Sequence, residues 1–252
     1  MQGPAAMARA RESTLEREAG RKQLTASGGG APRELEMIAL IDYKAGNLTS
    51  VRKALAAVGA SVFTPDAAED LDKANAVIVP GVGHFAATSV LDGRWVETIQ
   101  RLVDAGRPLL GICLGMQFLY EGSDEAPDAS GLGLLKGRCY RLGARPTRHG
   151  DIFLSDSDDA SANPTVKIPH VGWNALAQTR HESIVDRVPD RSQVYFTHSY
   201  VAPVTSDTVA QTEHGEIFAS VVQRDHVAGV QFHPEKSGEV GLQILRNFLK
   251  LA

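Results

Sequence analysis

The sequence contains few cysteines and no long apolar segment. Only two of its 252 residues are cysteine, Cys113 and Cys139, and their surroundings differ, which argues against a disulfide framework and predicts a reducing cytoplasm. No apolar run approaches the roughly 20 residues that a membrane helix needs. The 26 basic and 30 acidic residues nearly balance, and no basic cluster lies outside the N-terminal tail. We therefore expect neither a membrane span nor nucleic-acid binding.

Recognised metal-site patterns are also missing. His233 and Glu235 have the His-x-Glu spacing of zinc deaminases, but those enzymes hold the metal with further cysteines in a Pro-Cys-x-x-Cys motif that this sequence lacks. His-Glu-x-x-His is absent too. The segment 145–165 carries Asp151, Asp156, Asp158 and Asp159. Because it lacks the glycine turn and closing glutamate of a calcium loop, we interpret it as a solvated surface insertion. We expect no metal.

The segment 107–117 places a cysteine between two glycines. Gly111-x-Cys113-x-Gly115 has the pattern of a nucleophile elbow with sulfur in place of oxygen. The preceding apolar run predicts a buried strand and the following residues predict a helix, whose N-terminal dipole favours a thiolate. A sharp turn that exposes its central side chain needs neighbours without a Cβ. The pattern predicts that Cys113 is a nucleophile and that the Leu114 N–H is free to stabilise an oxyanion.

A second group of reactive residues lies near the C-terminus. A short β-type run ends at His233, and Pro234 prevents the strand from continuing. Glu235 lies two residues beyond His233, where its carboxylate can orient the imidazole. A thiol, a histidine base and a carboxylate form an acyl-transfer triad in which cysteine is the nucleophile. We predict that Cys113, His233 and Glu235 act together and that Cys139 is a buried packing residue.

A glycine-bearing loop follows another apolar run. Gly81, Val82 and Gly83, together with Ala86, satisfy the Gly-x-Gly-x-x-Ala pattern of a dinucleotide site. However, Pro80 interrupts the turn and the next predicted strand has no acidic residue at its end for a ribose. The alternative is a loop whose backbone N–H groups face the elbow and supply a second oxyanion donor. We favour the oxyanion loop because a reactive thiol is predicted close by, and we expect no cofactor.

The order of predicted elements indicates an α/β fold. Apolar runs alternate with helical patterns, which predicts a doubly wound, mostly parallel sheet covered by helices. Strands are predicted at 37–42, 76–80, 108–113 and 227–232, and helices at 48–58, 90–105, 114–121 and 238–251. Alternating segments at 194–201, 207–212 and 217–223 predict an antiparallel extension. Ligands of such sheets bind beyond the carboxyl ends of the strands, where Gly81, Cys113 and His233 would converge.

The first 36 residues differ from the rest of the chain. They are rich in Ala, Arg, Glu and Gly with almost no large apolar residues, and residues 27–32 have the composition of a flexible linker. No apolar core of a secretory signal is present. We predict a disordered or non-native extension at 1–36, followed by a single domain at 37–252 that is long enough for one core.

Together these motifs resemble the class I, triad-type glutamine amidotransferases, from about Met37 to the end of the chain. Finer segments resemble the glutaminase subunits of imidazole glycerol-phosphate synthase. These segments are 42–48 (DYKAGNL), 80–83 (PGVG), 111–117 (GICLGMQ), 169–174 (PHVGWN), 195–200 (YFTHSY) and 231–237 (QFHPEKS). The resemblance implies an enzyme that hydrolyses glutamine to glutamate and ammonia. It also implies a heterodimer in which the ammonia passes to a (β/α)8-barrel cyclase subunit, which makes imidazole glycerol phosphate and AICAR in histidine biosynthesis.

The resemblance also implies roles for individual residues. Cys113 would be the nucleophile, His233 the acid/base and Glu235 its orienting group. The oxyanion region matches Gly81, Val82, Gly83 and Leu114. Substrate-holding positions match Gln117, Glu125, Ser199 and Tyr200, and partner-contacting positions match Asn47, Trp173, Tyr195 and Lys236. Structural alternatives are that Ser199 and Tyr200 merely cap a strand, that Trp173 belongs to the core and that Lys236 is a solvated charge.

Two functional alternatives stay open. The first is the glutaminase subunit of another class I amidotransferase, such as one that feeds aminobenzoate or pyridoxal phosphate synthesis, although the segment 171–174 argues against it. The second is a catalytically silent docking subunit, which would have no reason to keep a thiol, a histidine and a carboxylate together.

The glycines at 81 and 83 let a peptide plane rotate easily, so the second oxyanion donor can face away from the elbow in the isolated chain. We therefore expect weak catalysis until the partner docks.

Overall fold

The structure is a computed structural model that describes residues 37–143 and 167–252. The predicted extension at 1–36 and the predicted surface insertion at 145–165 lie outside the described residues. Within the two described ranges, no helix has both the length and the apolar character needed to cross a bilayer.

The described ranges contain fourteen strands and four α-helices. The strands are β1 (Met37–Leu40), β2 (Ser61–Phe63), β3 (Ala76–Val79), β4 (Leu109–Ile112), β5 (Gly122–Ser123), β6 (Ala126–Ser130), β7 (Arg138–Arg141), β8 (His170–Ala175), β9 (Ala177–Gln178), β10 (Gln193–His198), β11 (Tyr200–Val201), β12 (Thr208–His214), β13 (Glu216–Arg224) and β14 (Val227–Val230). The helices are α1 (Leu48–Ala57), α2 (Gly93–Asp104), α3 (Leu114–Phe118) and α4 (Gly238–Leu249). Short 3₁₀-helices lie at Ala68–Lys73, Phe85–Val90, Ser183–Val185 and Pro234–Lys236.

An eight-stranded sheet in the order β2-β1-β3-β4-β14-β13-β12-β9 forms the centre of the described part. The five strands from β2 to β14 pair in parallel. The pairs from β14 to β9 are antiparallel. The predicted mostly parallel sheet with an antiparallel extension is therefore confirmed.

Both faces of the parallel part are buried, as a doubly wound fold requires. Along β1 the side chains alternate between two apolar clusters, with Ile38 and Leu40 on one face and Ala39 on the other. Helices α1 and α4 contribute to the first cluster, and α2 and α3 contribute to the second. This two-sided burial explains why the strands read as continuous apolar runs in the sequence.

One predicted strand segment has a different partner from the one expected. The segment 194–201 does not extend the main sheet, because β10 pairs with β8 in a separate two-stranded antiparallel sheet. Its last residues form β11, which joins β7, β5 and β6 in a four-stranded sheet. Alternation of apolar and polar residues predicts strand character but carries no information on the partner strand. Six strands were not predicted, because none of them shows a run of apolar residues or a clear alternation of apolar and polar residues. These are the polar strand β6, the short β2, β5 and β9, and the strands β7 and β8.

Helix α3 lies unusually close to the sheet. A Cβ atom on Gly115 would lie 1.7 Å from the carbonyl oxygen of Val79, and a Cβ on Gly111 would lie 2.5 Å from the carbonyl oxygen of Gly115. Neither glycine has φ in the left-handed region. The two glycines are therefore required by the contact between α3 and strands β3 and β4, rather than by a special backbone conformation of their own.

We expect Gly115→Ala to lower the free energy of unfolding by about 1–3 kcal/mol or more, because the clash is with backbone atoms that cannot move aside. Gly93→Ala is the matched control, since nothing lies within 4 Å of the Cβ position at that helical glycine. Its effect should be neutral or stabilising by less than about 1 kcal/mol. Urea unfolding followed by circular dichroism measures both. Equal effects of the two substitutions would contradict the proposed packing.

Candidate active site

Cys113 sits at the turn between β4 and α3 in a strained backbone conformation. Its φ of 54° and ψ of −107° are rare for a residue with a side chain and cost about 1–3 kcal/mol, a strain that concentrates at functional sites. Its N–H donates to the carbonyl of Val230 on the adjacent strand β14, at 2.8 Å. The residue is only 4% exposed. The strained turn thus holds a free thiol at the carboxyl edge of the sheet.

His233 follows the strand next to the one that carries Cys113. Its N–H donates to the Tyr195 carbonyl at 2.9 Å, and its Nδ1 lies 2.8 Å from Oε1 of Glu235. Both side chains are almost fully buried, at 3% and 2% exposure. Pro234 begins a 3₁₀-helix rather than extending β14, which turns Glu235 back toward the imidazole. The structure therefore brings the three predicted triad residues to neighbouring strand ends.

The His233 imidazole carries a strongly perturbed pKa. Burial acts to lower it, but the interactions with the Cys113 sulfur and the Glu235 carboxylate outweigh burial and raise the pKa to about 10. Nε2 makes no hydrogen bond of normal geometry in the described part of the chain. A protonated imidazole at neutral pH provides a positive charge that favours the thiolate form of a neighbouring cysteine.

A cavity of about 280 Å³ opens beside Cys113. Its lining consists of Gly83, Cys113, Leu114, Gln117, Glu125, Pro169, Thr197, His198, Ser199 and Tyr200. All four predicted substrate-holding residues belong to this set. The volume lies below the roughly 300–1,000 Å³ of pockets for drug-sized ligands, which suits a small metabolite. A larger depression of about 590 Å³ lies along β8, β9 and β12, but it contains neither cysteine.

Two of the predicted substrate-holding residues already make hydrogen bonds to other groups of the protein. Nε2 of Gln117 donates to the carbonyl of Tyr200 at 2.9 Å and to Oε1 of Gln231 at 3.2 Å, so both of its N–H groups are engaged. Oε2 of Glu125 accepts from the N–H of Phe85 at 2.7 Å. Each of these residues therefore helps to shape the cavity as well as to line it.

The oxyanion loop differs from the expectation in one respect. The N–H of Leu114 was predicted to be free, but it donates to the carbonyl of Gly81 at 3.3 Å. That carbonyl faces the elbow, so an acceptor stands where a donor was expected. Gly83 has φ of 102°, a conformation that glycine adopts readily.

Tyr43 is a residue near the loop that sequence reasoning missed. A Cβ on Gly81 would lie 1.9 Å from its hydroxyl oxygen, and the buried hydroxyl has no hydrogen-bond partner among the described residues. Burial and the nearby Cys113 sulfur raise the pKa of Tyr43, so the hydroxyl remains a potential donor beside the loop.

Three of the four predicted partner-contacting residues lie together at the surface, where Trp173 and Lys236 are exposed and Tyr195 is half-buried. Trp173 is 57% exposed, so the alternative that it belongs to the core is wrong. It lies opposite Tyr195 in the β8–β10 pair, with the two rings in an edge-to-face arrangement 6.0 Å apart. Nζ of Lys236 lies 5.5 Å from the Tyr195 ring centre. Asn47 is exposed and caps α1, which packs against the turn Pro234–Lys236.

Two buried histidines, His170 and His198, lie at the cavity, and His198 forms part of its lining. His198 lies 3.1 Å through Nδ1 from the Tyr200 carbonyl and 3.2 Å through Nε2 from Nδ1 of His170. Because a carbonyl only accepts, Nδ1 of His198 carries the proton and His170 donates to His198. Burial, together with the neighbouring His214, lowers the pKa of His170 to about 4. Burial and His170 lower the pKa of His198 to about 3. Both rings are therefore neutral at physiological pH.

These shifts affect stability in opposite directions. For His170 and His198 the unfolded chain binds protons more readily, so their contribution is fully present above about pH 6.5. It is lost as the pH falls toward about 4 for His170 and about 3 for His198. For His233 the folded pKa is higher than the unfolded one. Its contribution is fully present below about pH 6.5 and is lost as the pH rises toward 10.

We expect NMR of histidine-labelled protein to separate these rings. His170 and His198 should keep neutral-ring signals down to about pH 5, whereas unperturbed histidines titrate near pH 6.5 and His233 stays protonated above about pH 8. His198→Gln and His233→Asn assign the signals. Titration of all eight histidines near pH 6.5 would contradict the described burial and contacts.

Comparison with known proteins shows which family the chain belongs to. The family "Glutamine amidotransferase class-I" matches residues 39–252. The chain is 40% identical over 215 residues to the imidazole glycerol phosphate synthase subunit HisH of Bacillus cytotoxicus, which covers 84% of this chain and 93% of that protein. It is 38% identical over 216 residues to the HisH subunit of Methanocaldococcus jannaschii, covering 85% and 100% of the two chains.

Solved structures show the same fold at lower identity. A crystal structure of a glutamine amidotransferase superposes with a TM-score of 0.62 at 17% identity and covers 84% of this chain and 97% of that one. PurLQS from Thermotoga maritima superposes with a TM-score of 0.60 at 18% identity and covers 85% and 97% of the two chains. The chain belongs to the class I glutamine amidotransferases and, within them, to the HisH family of imidazole glycerol phosphate synthase subunits.

Proposed function

We propose that this chain hydrolyses glutamine through a thioester on Cys113 and delivers the ammonia to a (β/α)8-barrel cyclase subunit. The two subunits form a cytoplasmic heterodimer that makes imidazole glycerol phosphate and AICAR for histidine biosynthesis. The observation that carries the proposal is the buried His233–Glu235 pair, joined at 2.8 Å, whose imidazole interacts with a strained cysteine that lines a cavity of small-metabolite size.

The arrangement supports a two-step acyl transfer. The Cys113 thiolate attacks the carboxamide carbon of glutamine, and protonated His233 gives its proton to the departing ammonia. A water molecule then attacks the thioester carbonyl while His233 takes one of its protons. The C–S bond breaks, which restores the thiolate beside protonated His233, and glutamate leaves after its carboxyl proton passes to solvent. Glu235 holds the Nδ1 side of the ring throughout, so Nε2 stays directed to the reacting groups.

The substrate would lie among the polar residues of the cavity. Glu125, Ser199 and Tyr200 line it together with Gln117, and the Glu125 carboxylate offers a negative group to a substrate ammonium. Because Glu125 also holds the Phe85 N–H, its position is fixed before the substrate arrives. Such preorganisation reduces the entropy cost of binding.

The surface group of exposed Trp173, half-buried Tyr195 and exposed Lys236 supports a docking surface for the partner. Val171 is 56% exposed and lies on the same face of β8 as Trp173, two residues apart. Aromatic residues with a cation at the edge are typical of interface centres. Thr197 on the neighbouring strand β10 also lines the cavity, so a partner on this surface would lie near the site that releases ammonia.

The bond between the Leu114 N–H and the Gly81 carbonyl supports control by the partner. With that donor occupied, the isolated chain lacks a complete oxyanion hole. Rotation of the peptide plane after Gly81 would withdraw the carbonyl and offer the Val82 N–H in its place. Since the loss of one oxyanion donor typically costs about 100- to 1,000-fold in rate, activation by the partner should be of that order.

The two alternatives receive less support. A glutaminase subunit of another amidotransferase would fit the fold, but the relatives at about 40% identity carry the HisH name. A silent docking subunit leaves the strained Cys113 and the buried His233–Glu235 pair without a function.

We expect Cys113→Ala to lower glutamine hydrolysis by more than about 1,000-fold, while the complex with the cyclase still uses free ammonia, because only the acyl transfer needs the thiolate. Cys139→Ala is the control. Burial raises the pKa of Cys139, which keeps it an inert thiol, so the substitution should leave both activities nearly unchanged. Substantial glutaminase activity in Cys113→Ala, or a comparable loss in Cys139→Ala, would overturn the assignment.

Glutaminase turnover should rise about 100- to 1,000-fold from the isolated chain to the complex with the ligand-loaded cyclase. Lys236→Ala should reduce this activation more than it reduces basal hydrolysis, because Lys236 contacts the half-buried Tyr195 ring and belongs to the turn that follows His233 and carries Glu235. Steady-state ammonia release from the isolated chain, the complex and the loaded complex tests this. An isolated chain that already works at the full rate would refute the control mechanism.

A further inference from the structure

Gln231 contacts the sulfur of Cys113, although no role was predicted for it. It follows β14 directly and is fully buried. Its backbone N–H donates to the Ser220 carbonyl at 2.9 Å, which fixes the backbone position from which the side chain extends. Its Nε2 lies 3.6 Å from Sγ of Cys113, within the range of an N–H donor to sulfur. The amide therefore touches the atom that performs the proposed chemistry.

The hydrogen-bond network determines which end of this amide faces the sulfur. The Tyr200 carbonyl only accepts, so the group 2.9 Å away is the Nε2 donor of Gln117. The second N–H of Gln117 is directed at Gln231 over 3.2 Å, which requires Oε1 of Gln231 on that side. Nε2 of Gln231 is left to donate to Cys113. No other assignment of the two amides satisfies all three contacts.

The charge state of the sulfur decides what this donor does. The carbonyl oxygen of Thr197 lies 4.0 Å from Sγ, and an acceptor there suits a thiol but repels a thiolate. An N–H donor has the opposite effect, because a hydrogen bond to a charged acceptor is stronger than one to a neutral acceptor. Since Cys113 and Gln231 are both buried, little water competes for the sulfur.

We propose that Gln231 is a catalytic residue that donates a hydrogen bond to the Cys113 thiolate, and that Gln117 is a positioning residue that orients the Gln231 amide. The proposal rests on the proposed role of Cys113 as the nucleophile. It assigns to Gln117 a function that does not require contact with the substrate. It also gives the thiolate a second stabilising group beside His233.

The test is the pH dependence of Cys113 alkylation by iodoacetamide in the full chain, followed by peptide mass spectrometry. Gln231→Met keeps a side chain of similar size but removes the donor, so the midpoint of the alkylation profile should rise by about one pH unit. Glutaminase kcat of the complex should fall about 10-fold with little change in KM, because the amide touches the sulfur. Gln117→Met should shift the midpoint in the same direction by a smaller amount.

Gln223→Met is the matched control. Gln223 is also a buried glutamine that makes hydrogen bonds, to Ser183 and to the Ile184 N–H, but it lies away from the cavity. The substitution should lower the urea midpoint of unfolding without moving the alkylation profile. An unchanged profile in Gln231→Met, or an equal shift in Gln223→Met, would overturn the proposal. Should Gln231→Met not fold, an unchanged profile in Gln117→Met would overturn it instead.

The same experiment separates this proposal from the proposed function. Complete alkylation of Cys113 in the unsubstituted chain should abolish glutaminase activity. If activity survives, the proposed nucleophile is wrong whatever the Gln231 variant does. If activity is lost but the Gln231→Met profile does not move, only the role of Gln231 fails.

Discussion

The close contact between helix α3 and strands β3 and β4 is the constraint on which the site depends. Without a Cβ at Gly111 and Gly115, the helix starts directly against the Val79 carbonyl, and the chain must turn within one residue. That residue is Cys113, whose left-handed backbone holds the thiol at the sheet edge. The energy that sustains this strain comes from the two apolar clusters on either face of the sheet.

The parallel pairing of β4 and β14 then determines what the thiol meets. Ile112 lies opposite Val230, so the residues that follow the two strands emerge side by side. Gln231 and His233 approach the sulfur from β14, one as a neutral donor and the other as a protonated ring. Because these groups are buried, the interactions among them are stronger than they would be in water. Burial thus supports the chemistry as well as the fold.

Much of this site could be predicted because its main residues lie in local patterns. Cys113 stands between two glycines, and His233 and Glu235 lie two residues apart after an apolar run. The alternation of strands and helices also predicts that the strand ends meet. The partner of β10 could not be predicted, since apolar alternation does not encode pairing. The engaged Leu114 N–H and the contact from Gln231 to Cys113 escaped prediction for a related reason: both depend on residues distant in sequence.

The central claim is that Cys113 forms a covalent bond to the glutamyl group during turnover. A glutamine analogue with a chloromethyl ketone in place of the carboxamide tests it directly, because the analogue occupies the glutamine site and traps the attacking atom. After incubation with the complex and proteolysis, mass spectrometry should find one adduct, on the peptide that contains Cys113, and added glutamine should protect against it. An adduct on Cys139, or inactivation without any adduct on Cys113, would contradict the account.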